Sequence, residues 1–330
     1  VEKAKSDAAG AVAAQMDKID KAAIVKMLLS NNKGLAEDEI AIEKSEKYPG
    51  YRLTIVSENL ASMGSLRMHG PTITEVVVRS SKLKDLSTLQ GMNLRSIDIS
   101  TCKLRTMPTL SSMPVERLVM KDAEVKDFAF IARSRVKELD LGGSTIGALA
   151  QMQRMPVESL LIDDAGVKDR DLSLIKDMPL KRLSVKNGLV TSLAPLQGLA
   201  LEYLDVSGNK SVRDLAPLAR LPLVELHLAG TAVADISSLK KMPLKVLNLA
   251  STGVRDLSPL QGMSLTTLVL SHTPVQSLLP LRGMPLEDLR LTATSAADLA
   301  PLSGMSLKRF SCAGLHPASW EPVSGMPITD

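Results

Sequence analysis

The sequence predicts an α/β solenoid, a chain wound into many thin and nearly identical coils, and three observations carry that expectation. Residues 73–327 are self-similar with a period of 21 residues, and a fixed period of this length marks a repeat architecture. The apolar set is dominated by Leu and Met (16 Met), whereas aromatics make up only 2% of the 330 residues. A core of Leu and Val without rings suits many shallow layers better than one thick core. The 18 Pro and 20 Gly fall in register with the period and do not form a linker-like tract.

Aligned on its apolar positions, one unit reads LxxLxLxxTxVxDLxPLxGMP, shown plainly by LKVLNLASTGVRDLSPLQGMS at 244–264. Units begin at Ile73, Leu94, Val115, Val136, Val157, Leu180, Leu201, Leu223, Leu244, Leu265, Leu286 and Leu307, twelve in all. Ten spacings are 21 residues, while the units at Val157 and Leu201 have 23 and 22.

Each position has a physical reason. The alternation at Leu247 and Leu249, Leu268 and Leu270, and Leu289 and Leu291 is a short strand with one buried face. The following Val233, Val254 or Val275 turns the chain back into the core. A small polar residue at position 9 (Thr231, Thr252, Thr273, Thr294, Asn209, Ser81, Ser144, with Cys102 in the second unit) satisfies backbone groups at the turn and links to the adjoining coil. Position 13 is Asp85, Asp127, Asp169, Asp214, Asp235, Asp256 or Asp298, elsewhere Thr106, Ser192, Ser277 or Ser319, all N-cap residue types. Proline three residues later, as at Pro195, Pro217, Pro259, Pro280, Pro301 and Pro322, fits the first turn of a helix. The segment is too short for a full α-helix, so one 3₁₀-like turn per coil is expected. The result is a leucine-rich-repeat horseshoe, with a parallel concave β-sheet, 3₁₀ turns on the convex side and a helical N-terminal segment.

Three regions follow from the pattern. Residues 1–49 read as a helical N-terminal cap or linker, with a helix over 2–29 carrying Val12, Met16, Ile19, Ala23 and Met27 on one stripe, ended near Gly34. That stripe could instead be half of a coiled coil. A second helix is expected over 36–46. Residues 50–327 form the solenoid, in which 50–72 is a distorted cap coil with Leu53, Ile55, Leu60, Met63 and Leu66 in its core. The last coil is degenerate, with Phe310 and Trp320 as bulky cap residues, and 328–330 read as the start of a further repeat or a tail.

The segments DLSPLQGMSL (256–265), DLAPLARLPL (214–223) and LLPLRGMPL (278–286) resemble the internalin-like class of short bacterial leucine-rich repeats. They look most like the DLSPLxGMPL repeats of planctomycete-type bacteria, over roughly three-quarters of the chain. The resemblance implies a bacterial repeat protein, of a kind that often sits beside a Ser/Thr kinase or another signalling domain. Two features depart from it: the usual ladder asparagine is mostly Thr here, and the helical cap domain of internalins is not recognisable.

Composition narrows the function classes. Net charge is +4, with 10 basic against 10 acidic residues over 1–72 and 30 against 26 beyond, and no basic run is interleaved with aromatics, so nucleic acid is not an expected partner. No apolar stretch approaches the length of a membrane span. Cys102 and Cys312 lie ten coils apart in the register, about 48 Å at the usual strand spacing, too far to bridge. Their lack of a disulfide frame favours a reducing, cytoplasmic compartment, while the opening at Val1 keeps the cell envelope or secretion open. No nucleophile elbow, HExxH, CxxC or phosphate loop is present, so neither catalytic residues nor a cofactor or metal are expected. His227 and His272, the two histidines near the strand face, are too far apart for a metal pair; His69 and His316 fall elsewhere.

Recognition is therefore expected on the concave strand face. Its central column, position 5, supplies Asp98, Val119, Asp140, Leu161, Asp205, His227, Asn248, Val269 and Arg290, with Tyr203 beside it. Exposed Val119, Leu161 and Tyr203 on an acidic background would suit a protein partner with basic residues around an apolar anchor. A protein-interaction or scaffold module is the first reading, and a homo-oligomer or larger assembly is compatible with it. The alternatives are the regulatory or substrate-recognition part of an enzyme whose catalytic domain lies outside these residues, and a structural component of a cell-envelope assembly.

Overall fold

A computed structural model describes residues 19–69, 72–105, 107–124, 129–144 and 149–329. It divides into two compact units, Val1–Val157 and Glu158–Asp330. Each is a stack of leucine-rich-repeat coils. No described helix is long and apolar enough to cross a membrane.

The first unit opens with α1 (Lys21–Asn31), whose start is capped by Asp20: its Oδ1 accepts a 2.9 Å hydrogen bond from the Ala23 amide. The helix buries Ile24 and Leu28, whereas the expected stripe residues Ala23 and Met27 are only half-buried. The stripe is rotated by one residue because the bulkier Ile and Leu take the core. Val12 and Met16 lie outside the described residues. The C-terminus of α1 is tied to the coil beneath it by buried Asn32. Its Nδ2 donates to the Leu28 and Ser62 carbonyls, and its Oδ1 accepts from the Ala61 and Ser62 amides, all within 2.7–2.8 Å.

The helix expected over 36–46 is not formed. A 3₁₀ turn, Glu37–Glu39, leads into strand β1 (Ile40–Lys44), which pairs antiparallel with β2 (Tyr51–Val56). Local propensity favoured a helix, but the alternation of Ile40 and Ile42 fits a strand. Ladder bonds to β2 then satisfy that backbone. The sheet is therefore not parallel throughout. From β2 onward every pairing within the unit is parallel and follows chain order: β3 (Ile73–Arg79), β4 (Ser96–Asp98), β5 (Arg117–Val119) and β6 (Glu138–Asp140), with a short helix α2 (Leu66–His69) after β2. Leu53, Ile55, Leu60, Met63 and Leu66 are all buried, as their positions predict.

The second unit repeats the design through β7 (Ser159–Leu161), β8 (Arg182–Ser184), β9 (Tyr203–Asp205), β10 (Glu225–His227), β11 (Val246–Asn248), β12 (Thr267–Val269), β13 (Asp288–Arg290) and β14 (Arg309–Ser311), parallel and in chain order. Opposite the strands each coil makes one 3₁₀ turn, from Ala194–Leu196 to Glu321–Val323. The exception is the 23-residue coil at Val157, where the two extra residues complete an α-helical turn, α3 (Asp169–Leu172).

The polar columns act largely as their chemistry predicts. Asp85, Asp214, Asp235, Asp256 and Asp298 each accept, through Oδ1, a hydrogen bond of 2.7–2.8 Å from the amide two residues on. Asp169 departs, reaching the Thr191 and Ser192 amides of the next coil. Asp127 and Thr106 lie outside the described residues. Thr231, Thr252, Thr273 and Thr294 donate to the carbonyl three residues back in their own coil. They stabilise a turn, and the link to the adjoining coil that the sequence predicts for them is not made. Asn209, Ser144 and Cys102 do link, donating to Val185, Met120 and Val78 of the preceding coil. In the coil at Ile73 it is Ser80 that is buried and donates to the Leu60 carbonyl, while Ser81 bonds Glu58 at the surface.

One column has no single residue signature. At position 8 the backbone is left-handed in Thr101, Asp122 and Gly143 of the first unit and in Asp164, Asn187, Gly208, Gly230, Ser251, His272, Ala293 and Gly314 of the second. The bend lets most of these amides reach position 7 of the next coil, as Thr101 does with the Lys121 carbonyl (2.7 Å) and Ser251 with that of Ser271 (2.8 Å). The ladder is thereby extended by one rung beyond each three-residue strand.

Candidate functional site

Positions 3, 5 and 7 of each coil project from the strand face, because alternate residues of a strand point the same way. In the first unit most of this face is occupied by its own ion pairs. Arg79 grips Asp98 through both guanidinium nitrogens (2.8 and 2.7 Å), and Ser100 Oγ adds a third bond. Lys121 reaches Asp140 at 3.2 Å. Glu138 receives Lys47 at 2.7 Å, and this hydrogen bond holds the Lys47 ammonium above its ordinary pKa. Glu116 is paired with Arg95 and buried Glu75 with Arg52. Between the two aspartates Val119 is only 4% exposed, which corrects the expectation of an exposed anchor there: the paired side chains of the adjoining coils close over it. The acidic background is thus largely neutralised from within the chain.

The face of the second unit begins with Leu161, half-buried, beside Asp163, which takes Lys186 at 3.2 Å and the Ser184 hydroxyl at 2.6 Å. Next comes a stacked group. The Arg182 guanidinium lies 3.3 Å from the centre of the Tyr203 ring, and the Tyr203 and His227 rings are 5.6 Å apart, tilted. His227 Nε2 is 2.7 Å from Glu225 Oε1. Burial, with the neighbouring Asp205 carboxylate, pushes the Tyr203 phenol up. Asp205 itself is buried, its Oδ1 accepting from the Ser207 amide.

Then follow two coils without a charged side chain on this face: Val246, Asn248 and Ala250, and Thr267, Val269 and Ser271, all half-buried. On the far side Asp288 is 1% exposed and bound by Arg290 (3.0 Å) and Arg309 (2.9 Å). Burial alone would raise its pKa, but the two guanidinium groups outweigh that and hold the carboxyl below its ordinary value. Arg290 is exposed, held to Asp288 through Nε and Nη2.

The sequence-predicted residues are therefore not equivalent. Leu161, Tyr203, His227, Asn248, Val269 and Arg290 are accessible, whereas Asp98, Val119, Asp140 and Asp205 are packed away. Val246 and Thr267 were missed, although an uncharged position 3 in two consecutive coils was a visible signal. His272 occupies the left-handed position 8 and is off the column of His227. Among the described residues no group of three or more His, Cys, Asp or Glu could hold a metal. Both cysteines are free, and burial pushes their thiols up, away from the reactive thiolate.

No family model and no curated protein matches this chain. Solved structures do. An internalin (InlF) from Listeria monocytogenes superposes with a TM-score of 0.64 at 20% identity, covering 87% of this chain and 93% of that one. A leucine-rich-repeat protein of Leptospira interrogans gives a TM-score of 0.51 at 16% identity, over 78% of this chain and 76% of that one. At these identities the likeness establishes the leucine-rich-repeat fold.

Proposed function

We propose that the chain is a protein-interaction module whose partner lies on the strand face of the second unit, between Tyr203 and Arg290. The charge-free window of Val246, Asn248, Thr267 and Val269 carries this reading. Its apolar and amide groups lie half-open beside the Arg182–Tyr203 stack on one flank and the exposed guanidinium of Arg290 on the other. An apolar centre bordered by Tyr and Arg is the composition that concentrates binding energy in protein interfaces. The internalin-like fold supports interaction over catalysis by analogy.

The test compares co-purification by the native chain and two variants. Tyr203→Asp with Val269→Asp is expected to abolish capture of a defined protein while the repeat fold persists, its melting temperature lowered by only a few degrees. Leu279→Asp, at a 58% exposed residue on the 3₁₀ side, is expected to retain it. Capture that survives the first variant and fails with the second would move the site to the opposite face.

A further inference from the structure

Away from the strand face, on the edge of the second unit where each coil turns back toward its strand, lies an open cavity of about 480 Å³ lined by Lys240, Lys241, Lys245 and the turn residues 261–264. The three lysines are exposed, and among the described residues none has a carboxylate partner. In this chain that is a departure with a visible cause. Lys181 and Lys308 hold the same repeat position as Lys245, and each reaches a glutamate at that position one coil earlier, Glu158 and Glu287, at 2.9 Å. The corresponding residues on either side of Lys245 are Val224 and Thr266, so the column offers it no counter-charge.

Lys241 points the same way. Its backbone is left-handed (φ +64°), as are those of Arg133 and Arg154 at the same repeat position of the first unit, where Gly198, Gly262, Gly283 and Gly304 stand in other coils of the second. A basic side chain is thereby placed at a turn where glycine would be unstrained. Three exposed lysines line one cavity, and their positive charge favours a bound anion with two negative charges.

The geometry points to an anion site for a phosphate or sulfate ester group in this cavity, separate from the proposed protein-binding face. The coil that follows supplies a tailored variant. Lys240→Gln, Lys241→Gly and Lys245→Thr rewrite the site with the residues found at Gln261, Gly262 and Thr266, so the fold is expected to persist. Titration with inorganic phosphate at constant ionic strength, followed by amide NMR shifts, should give saturable changes at residues 240–245 and 261–264. Affinity should fall about tenfold or more in the triple variant. Lys308→Thr, which removes an ion-paired lysine, should leave it unchanged.

A hexose monophosphate and vesicles containing phosphatidic acid separate a soluble ligand from a surface headgroup, each scored by its loss in the triple variant. If the native chain shows no saturable phosphate shift, or the triple variant binds phosphate and both esters as well as the native chain, the site does not exist. Should the triple variant fold poorly, Lys241→Gly alone removes one charge and relaxes the backbone, and unchanged affinity there would likewise overturn the assignment.

Discussion

The strand faces of the two units are built on the same short strands, yet they present different surfaces. In the first, acids at position 5 are gripped by basic residues at position 7 of the coil before, as Arg79 grips Asp98 and Lys121 reaches Asp140. These pairs cover Val119 and leave little apolar surface to a partner. In the second, the coils at Leu244 and Leu265 carry no charge on this face, and Val246 and Val269 remain half-open. A repeat fixes where side chains point, and the occupants of neighbouring coils decide whether a given position is core or surface.

The largest expected effect breaks this contrast directly. Val119→Asp places a third carboxylate between Asp98 and Asp140 at a 4% exposed site, and should cost about 4 kcal/mol or more. Val269→Asp, at the half-open equivalent, should cost about 1 kcal/mol or less. Chemical denaturation of the two variants checks the difference, and equal losses would mean that both positions are surface.

The ion pairs supply the next test. Removing Arg79 strips Asp98 of a two-pronged partner, and because the Arg79 side chain is 31% exposed the loss should be about 2–3 kcal/mol, below that of a fully buried pair. Arg290→Ala should cost about 1 kcal/mol or less, since Arg309 still holds Asp288 at 2.9 Å. Denaturation of Arg79→Ala, Arg290→Ala and the Arg290→Ala/Arg309→Ala double variant would show whether Asp288 depends on two partners. A double variant no worse than the single one would contradict the sharing.

Most of the fold was legible because it is local and periodic. Alternating Leu247 and Leu249, a Pro in the turn and an Asp two residues before the 3₁₀ segment each state a backbone requirement in one residue type. What escaped depended on other coils or on backbone alone. Strand β1 is a strand because β2 lies beside it, a fact absent from residues 36–46 themselves. The left-handed column at position 8 is filled by Thr, Asp, Asn, Ser, His, Ala and Gly alike, so no residue type announces it. The burial of Val119 was encoded in a spacing, a basic residue followed 19 residues later by an Asp, which follows from a 21-residue coil with partners at positions 7 and 5. The same offset recurs in the second unit at Lys186 and Asp205, so it marks which position-5 acids are packed away in either unit.

The smallest expected effect compares the same backbone position in the two units. Gly230 has φ +67°, and a Cβ there would meet nothing nearer than 3.8 Å, so Gly230→Ala isolates backbone strain at about 1 kcal/mol. Gly143 has φ +68°, but its Cβ would collide with the Asp122 carboxylate of the preceding coil. That side chain is exposed and can swing away, so Gly143→Ala should exceed Gly230→Ala by only about 0.5–1 kcal/mol. A much larger excess would mean that Asp122 is held in place, and that the first unit is locked at its turns as firmly as on its strand face. Equal losses would confine the difference between the units to the strand face itself.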